Sequence, residues 1–210
     1  MVRLVLLAVE FAVIFLAVPL LIYFRVLPNL PIPYLLAAGV GAYVVLRLDP
    51  TFRFGSFSWA DLRSHVVPLV LRDVVSLVLL GLGVRLFAPD LLFSLIKRSP
   101  GLWVLVMFLY PLLSVYPQEL LYRAFFFHRY QVLFGSGWGI MLASALVFGF
   151  VHIIFGNWLA VGLCVLGGLL FSMTYHGSGS LALTCLDHAL FGNFIFTIGL
   201  GRFFYHGTRL

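Results

Sequence analysis

Seven side chains stand out as able to do or support chemistry: Gln118, Glu119, Arg123, Phe148, His152, His188 and Asn193. Glu119 and Arg123 are four residues apart, so on a helix they share a face and can pair. Phe148 and His152 have the same spacing. A carboxylate and an imidazole together can hold and deprotonate a water. A second imidazole and an amide can donate hydrogen bonds to the oxygen that turns negative when that water attacks a peptide carbonyl. Such a set makes a hydrolase without a serine or cysteine nucleophile. Each piece also has a plainer use. Glu119 and Arg123 can form an ion pair that locks a bundle, and either histidine can be an interhelical hydrogen-bonding residue. The plainer uses lose ground when the pieces are taken together, because three separate apolar segments carry costly polar groups and all lie in the C-terminal half.

The elements that must position these groups are membrane helices. The chain is 63% hydrophobic and 10% charged, with a mean hydropathy of +1.13, whereas soluble domains carry about 25% charged residues. This excludes a soluble domain and predicts an all-α, polytopic membrane helical bundle, one integral membrane domain over residues 1–210. The apolar runs place about seven transmembrane helices, at 4–24, 34–46, 66–87, 102–116, 140–155, 159–175 and 181–200. Pro117 reads as the first residue of a new helical segment after the fourth span. Ser58 reads as an N-cap with Asp61 three residues on, and Phe57 and Trp59 suit the membrane interface. Glu10, inside the first span, is expected to play a structural part, pairing with another helix or sitting near the interface, and Arg72 and Asp73 to face the bundle or lie near an interface. Gly162, Gly167 and Gly168 permit close helix approach.

The net charge of +6 comes from 13 Lys+Arg against 7 Asp+Glu. It reads as anchoring at helix ends. No basic patch is clustered enough to bind nucleic acid. The basic residues divide evenly between the two membrane sides, so charge bias does not fix the orientation. Cys164 and Cys185 lie within apolar runs and read as small core residues.

The ordered set Gln118-Glu119-x-x-x-Arg123, then Phe148-x-x-x-His152, then His188 followed by Asn193, resembles the CAAX prenyl protease and bacteriocin-processing (CPBP, or Abi) family of intramembrane glutamate proteases. That family's pattern is Glu-Glu-x-x-x-Arg, Phe-x-x-x-His and His-x-x-x-Asn, and the likeness covers about residues 117–204. The resemblance implies an intramembrane endopeptidase in which an acid of the first motif and the histidine of the second activate water. It also implies that the third histidine and the asparagine form the oxyanion site. On this basis Glu119 is expected as general base with His152 as its partner. Arg123 would orient Glu119, while His188 and Asn193 would donate to the oxyanion. Gln118 and Phe148 are supporting residues.

Two positions depart from the pattern. Gln118 stands where the family has its first Glu. Neighbouring helix residues point about 100° apart, so Glu119 takes over that place only if the helix rotates locally. Asn193 is five residues after His188, with Gly192 at plus four, so either a π-bulge near Gly192 or a shifted role for Asn193 is needed.

Other chemistries fit less well. A His-Glu-x-x-His zinc motif is missing from the sequence. Glu119, His152 and His188 are possible zinc ligands, but the expectation is no cofactor and no metal. Ser178 and Ser180 sit in a Gly-rich turn, and Asp73 and Asp187 have no supporting motif. The partners expected are the lipid bilayer and a membrane-associated protein or peptide substrate, in a multi-pass protein of a bacterial inner membrane. The alternative is a proteolytically inactive membrane scaffold or binding protein of the same fold, motivated by Gln118. A small transporter fits poorly, since no repeat pairing is visible.

Overall fold

The computed structural model describes residues 1–55 and 59–204, without the side chains of 59–64. The cap expected at Ser58, its companion Asp61 and the interfacial side chains of Phe57 and Trp59 therefore lie outside the described part. Every regular element described is helical. We number the helices α1 (Val2–Tyr23), α2 (Pro31–Leu48), α3 (Trp59–Phe87), the short α4 (Ser94–Arg98), α5 (Pro100–Phe134), α6 (Trp138–Val151), α7 (Trp158–Ser178) and α8 (Leu181–Thr197).

Six of these segments are long and apolar enough to cross a membrane, and α8 is a shorter apolar helix of the same kind. The chain is a helical membrane bundle. Its outer faces carry large apolar side chains: Leu112 is 67% exposed and Phe108 71%. Such surfaces suit hydrocarbon, where a helix also satisfies its own backbone hydrogen bonds.

The main difference from the sequence expectation is α5. Residues 100–134 form one unbroken run of 35 residues, not a span followed by a new helix at Pro117. A proline inside a helix removes a hydrogen bond and clashes with the carbonyl four residues back. Here the strain is relieved by widening. Residues 111–115 form a π-helical turn that starts at Pro111 and ends just before Pro117, and residues 120–125 form a second. A wide turn accommodates one extra residue without breaking the helix.

Polar side chains bind the helices together where the sequence places isolated charges. Glu10 of α1 accepts two hydrogen bonds from Arg129, at 2.8 and 2.6 Å, and a third from the Tyr130 hydroxyl at 2.8 Å. Arg72 of α3 faces the bundle. It donates to Asp73 and to Asp187 Oδ2 of α8, both at 2.7 Å, and Thr174 of α7 donates to the same Oδ2 at 2.6 Å. Asp187 thereby ties α3, α7 and α8 together. Around Glu10 the packing is aromatic: Phe11, Phe15, Phe126, Tyr130 and Phe134 meet mostly edge to face, the arrangement that ring quadrupoles favour.

Close approach of α6 and α7 rests on two glycines, only one of which was expected. A Cβ at Gly168 would stand 3.0 Å from the Phe148 ring and 3.2 Å from the Ala145 backbone. One at Gly149 would run into the Val165 side chain and lie 3.0 Å from the Val161 carbonyl. Gly162, by contrast, faces open space, and Gly167 meets only the ring of Phe171 in its own helix. Gly149→Ala should therefore destabilise the protein by about 1–3 kcal/mol, the range for overpacking. Gly162→Ala should cost nothing. Thermal unfolding in detergent micelles compares the two.

Candidate active site

α5, α6 and α8 deliver the site. Glu119 lies between the two wide turns of α5 and is fully buried. Its Oε1 accepts a hydrogen bond from His188 Nδ1 of α8 at 2.7 Å. Its Oε2 is 3.2 Å from Arg123 Nε, one turn on. Neither Oε2 nor that Nε has a well-directed hydrogen bond. We therefore read the contact as ionic, held by charge and not by angle.

Arg123, also fully buried, spreads its remaining nitrogens over two helices. Nη1 reaches Ser144 Oγ at 3.4 Å, and Nη2 reaches the Gly168 carbonyl at 3.3 Å. The missing side chain at Gly168 lets that carbonyl come close. Ser144 in turn donates to the Tyr122 carbonyl at 2.6 Å. The guanidinium also sits over the rings of Phe148 and Phe171, at 4.9 and 5.7 Å, where a desolvated cation–π contact contributes about 2 kcal/mol.

His152 is placed by a helix end. α6 stops at Val151 and tightens into a 3₁₀ turn over 152–155, closed by Gly156 at φ 72°. The last carbonyls of a helix lack partners within it. The His152 side chain supplies one, donating Nδ1–H to the Phe148 carbonyl at 2.6 Å. In a neutral imidazole this fixes Nε2 as the unprotonated nitrogen. Phe148 also packs edge-on against both imidazoles, with centroids 5.0 Å from His152 and 5.5 Å from His188. Phe171 stacks on His188 at 4.4 Å.

His152, His188, Phe148 and Gln118 line a cavity of about 1320 Å³. It exceeds the roughly 300–1,000 Å³ usual for small-molecule pockets, and its walls are largely aliphatic and aromatic. Glu119 and Arg123 are not on that wall but directly behind it. Gln118 faces the cavity instead, its Nε2 donating to Ser114 Oγ at 2.8 Å.

Two expectations change in consequence. Glu119 was expected to share a water with His152; the structure commits its carboxylate to His188 and Arg123. Asn193 was expected beside His188. α8 instead runs as a regular α-helix through Gly192, so the required bulge is missing there. Asn193 turns away and donates to the Met107 carbonyl at 3.3 Å. Among the described residues, no three His, Cys, Asp or Glu side chains converge as metal ligands.

The neighbour that sequence reading missed is Tyr110. Its hydroxyl lies 3.0 Å from His188 Nε2, and its ring packs where Gly192 has no side chain. The one sequence signal was Gly192 itself, a vacancy one turn after a histidine.

Fold and site together define a polytopic membrane protein with a buried Glu–His–Arg constellation opening on an apolar cavity. Residues 100–195 match the family model described as Type II CAAX prenyl endopeptidase Rce1-like, so this part of the chain is similar to the CAAX protease (CPBP) family. The match contains every motif residue named above, together with Tyr110. No curated protein and no solved structure matches the chain.

Proposed function

We propose that the protein is an intramembrane endopeptidase that hydrolyses a peptide bond of a membrane-associated protein or peptide by direct attack of water. The observation that carries this reading is the pairing of two differently held imidazoles on one cavity. His152 Nδ1 is committed to a carbonyl and His188 Nδ1 to a carboxylate.

His152 Nε2 is the base in this scheme. Water oxygen adds to the peptide carbonyl carbon, its proton passes to His152 Nε2, and the carbonyl π pair moves onto oxygen. Collapse restores the C=O bond, breaks C–N, and returns the proton from His152 to the departing nitrogen. The Gln118 carboxamide oxygen can orient the water but cannot take its proton. His188 stands on the side of the developing oxyanion, and Glu119 acts through it, holding the ring and balancing charge on it. This moves the role of Glu119 from base to positioning residue. The apolar cavity suits a substrate that carries its own hydrophobic segment or lipid.

Gln118 favours a second reading, an inactive scaffold of the same fold, because an amide occupies the cavity-facing place where the family has an acid. Quenched-fluorescent peptides assayed in proteoliposomes separate the two. One set would carry a farnesylated cysteine near the C-terminus and another would be unmodified transmembrane peptides. The hydrolase reading expects cleavage by the wild type and a further rise of at least about tenfold with Gln118→Glu, since a positioned carboxylate adds general-base catalysis worth up to about 10²–10⁴. Wild type that binds both sets without cleaving either, with cleavage appearing only in Gln118→Glu, overturns it in favour of the scaffold.

A further inference from the structure

We infer that Tyr110 is a catalytic residue, its phenol hydroxyl being the donor that meets the substrate oxyanion; this rests on the hydrolase reading above. Tyr110 comes from the first part of α5, upstream of the π-turn at 111–115. It lines the cavity with His152 and His188. Its oxygen is 3.0 Å from His188 Nε2. Its ring fills the space above Gly192, where even a Cβ would collide with Cε1, Cζ and the hydroxyl. Phe196 closes the other side at 5.3 Å, edge to face. The phenol is thus fixed by packing on both faces while its oxygen remains beside the imidazole.

The phenol donates to substrate when His188 is the imidazolium that Glu119 balances; a neutral ring with Nδ1–H on Glu119 accepts the phenol O–H at Nε2 instead. Glu119 accepts from His188 Nδ1–H. When His188 carries both protons, Nε2–H donates to the phenol oxygen, and the phenol proton is left to point into the cavity. The imidazolium then donates at both ends, Nδ1–H to Glu119 and Nε2–H to the phenol oxygen, and the phenol in turn donates to the substrate, so that neighbouring hydrogen bonds polarise one another. A hydrogen bond to an ionised oxygen is about twice as strong as one between neutral groups. The bond therefore strengthens as the carbonyl becomes an oxyanion, which is the condition for lowering a barrier. Asn193, the sequence candidate for this work, has its amide on the Met107 carbonyl. Tyr110 occupies the vacancy that Gly192 leaves one turn after His188.

The test uses Tyr110→Phe in the full chain, which keeps the ring and removes only the hydroxyl. Two measurements are paired. In the first, hydrolysis of the farnesylated quenched peptide should fall about 10²–10³-fold in kcat, the range for loss of one oxyanion donor, with KM unchanged. In the second, a peptide aldehyde, whose hydrate mimics the tetrahedral adduct, is compared with the matching alcohol. Tyr110→Phe should weaken the aldehyde by a similar factor and leave the alcohol unaffected. Retained kcat overturns the inference, as does equal loss for aldehyde and alcohol, or wild type that does not prefer the aldehyde. If the wild type prefers the aldehyde through Tyr110 but hydrolyses nothing, the oxyanion assignment stands and the hydrolase reading fails.

Discussion

His152→Gln is expected to lower kcat by about 10²–10⁴-fold, the contribution of a positioned general base, while KM for the same peptide stays unchanged. That loss corresponds to about 3–5 kcal/mol of barrier. The glutamine amide can still donate to the Phe148 carbonyl that His152 caps at 2.6 Å, so the end of α6 should keep its geometry. What disappears is the unprotonated ring nitrogen on the cavity. Tight binding of a substrate-like peptide together with slow cleavage is the signature of a group used in the transition state alone. A kcat within tenfold of wild type would remove His152 from the reaction. Recovery of activity in His152→Gly on adding imidazole would place the lost function in the ring itself.

The second large effect is on stability. Arg123→Met should cost about 3–5 kcal/mol, because the buried Glu119 carboxylate loses its permanent countercharge and keeps only the hydrogen bond from His188. Both side chains have no solvent exposure, and the Arg123 cation also rests on two aromatic rings. The double variant Glu119→Gln, Arg123→Met should recover much of that loss, since removing both partners of a buried pair is often close to neutral. Catalysis should not return with stability, because His188 would still lack its carboxylate. Denaturant unfolding in micelles for the wild type, both single variants and the double completes the cycle. An Arg123→Met variant as stable as wild type would show that Glu119 does not depend on the guanidinium.

Much of this architecture was readable before any coordinates. Long apolar runs have one stable solution in lipid, so the spans follow from backbone hydrogen bonding alone. Pairs within a helix were also readable: Glu119 with Arg123, and Phe148 with His152, depend only on the helical repeat. The need of Glu10 for a partner followed from the cost of a lone charge, but the identity of Arg129 and Tyr130 did not. Contacts between helices depend on crossing angle and axial shift, which periodicity does not encode. Hence the Glu119–His188 bond across 69 residues, the Tyr110 hydroxyl and the Asn193–Met107 bond were all invisible. α5 misled for a local reason. Two prolines six positions apart look like a break, yet a widened turn between them absorbs both.

Those widened turns make α5 unusually sensitive to its residue count. Deleting a single amino acid from 111–115 would let the segment wind as an ordinary helix, and everything beyond would swing by about 100° relative to the start of the span. Hydropathy and membrane insertion would hardly register such an indel. The carboxylate, however, would no longer meet its imidazole, so the number of residues here specifies the site as side-chain identity does.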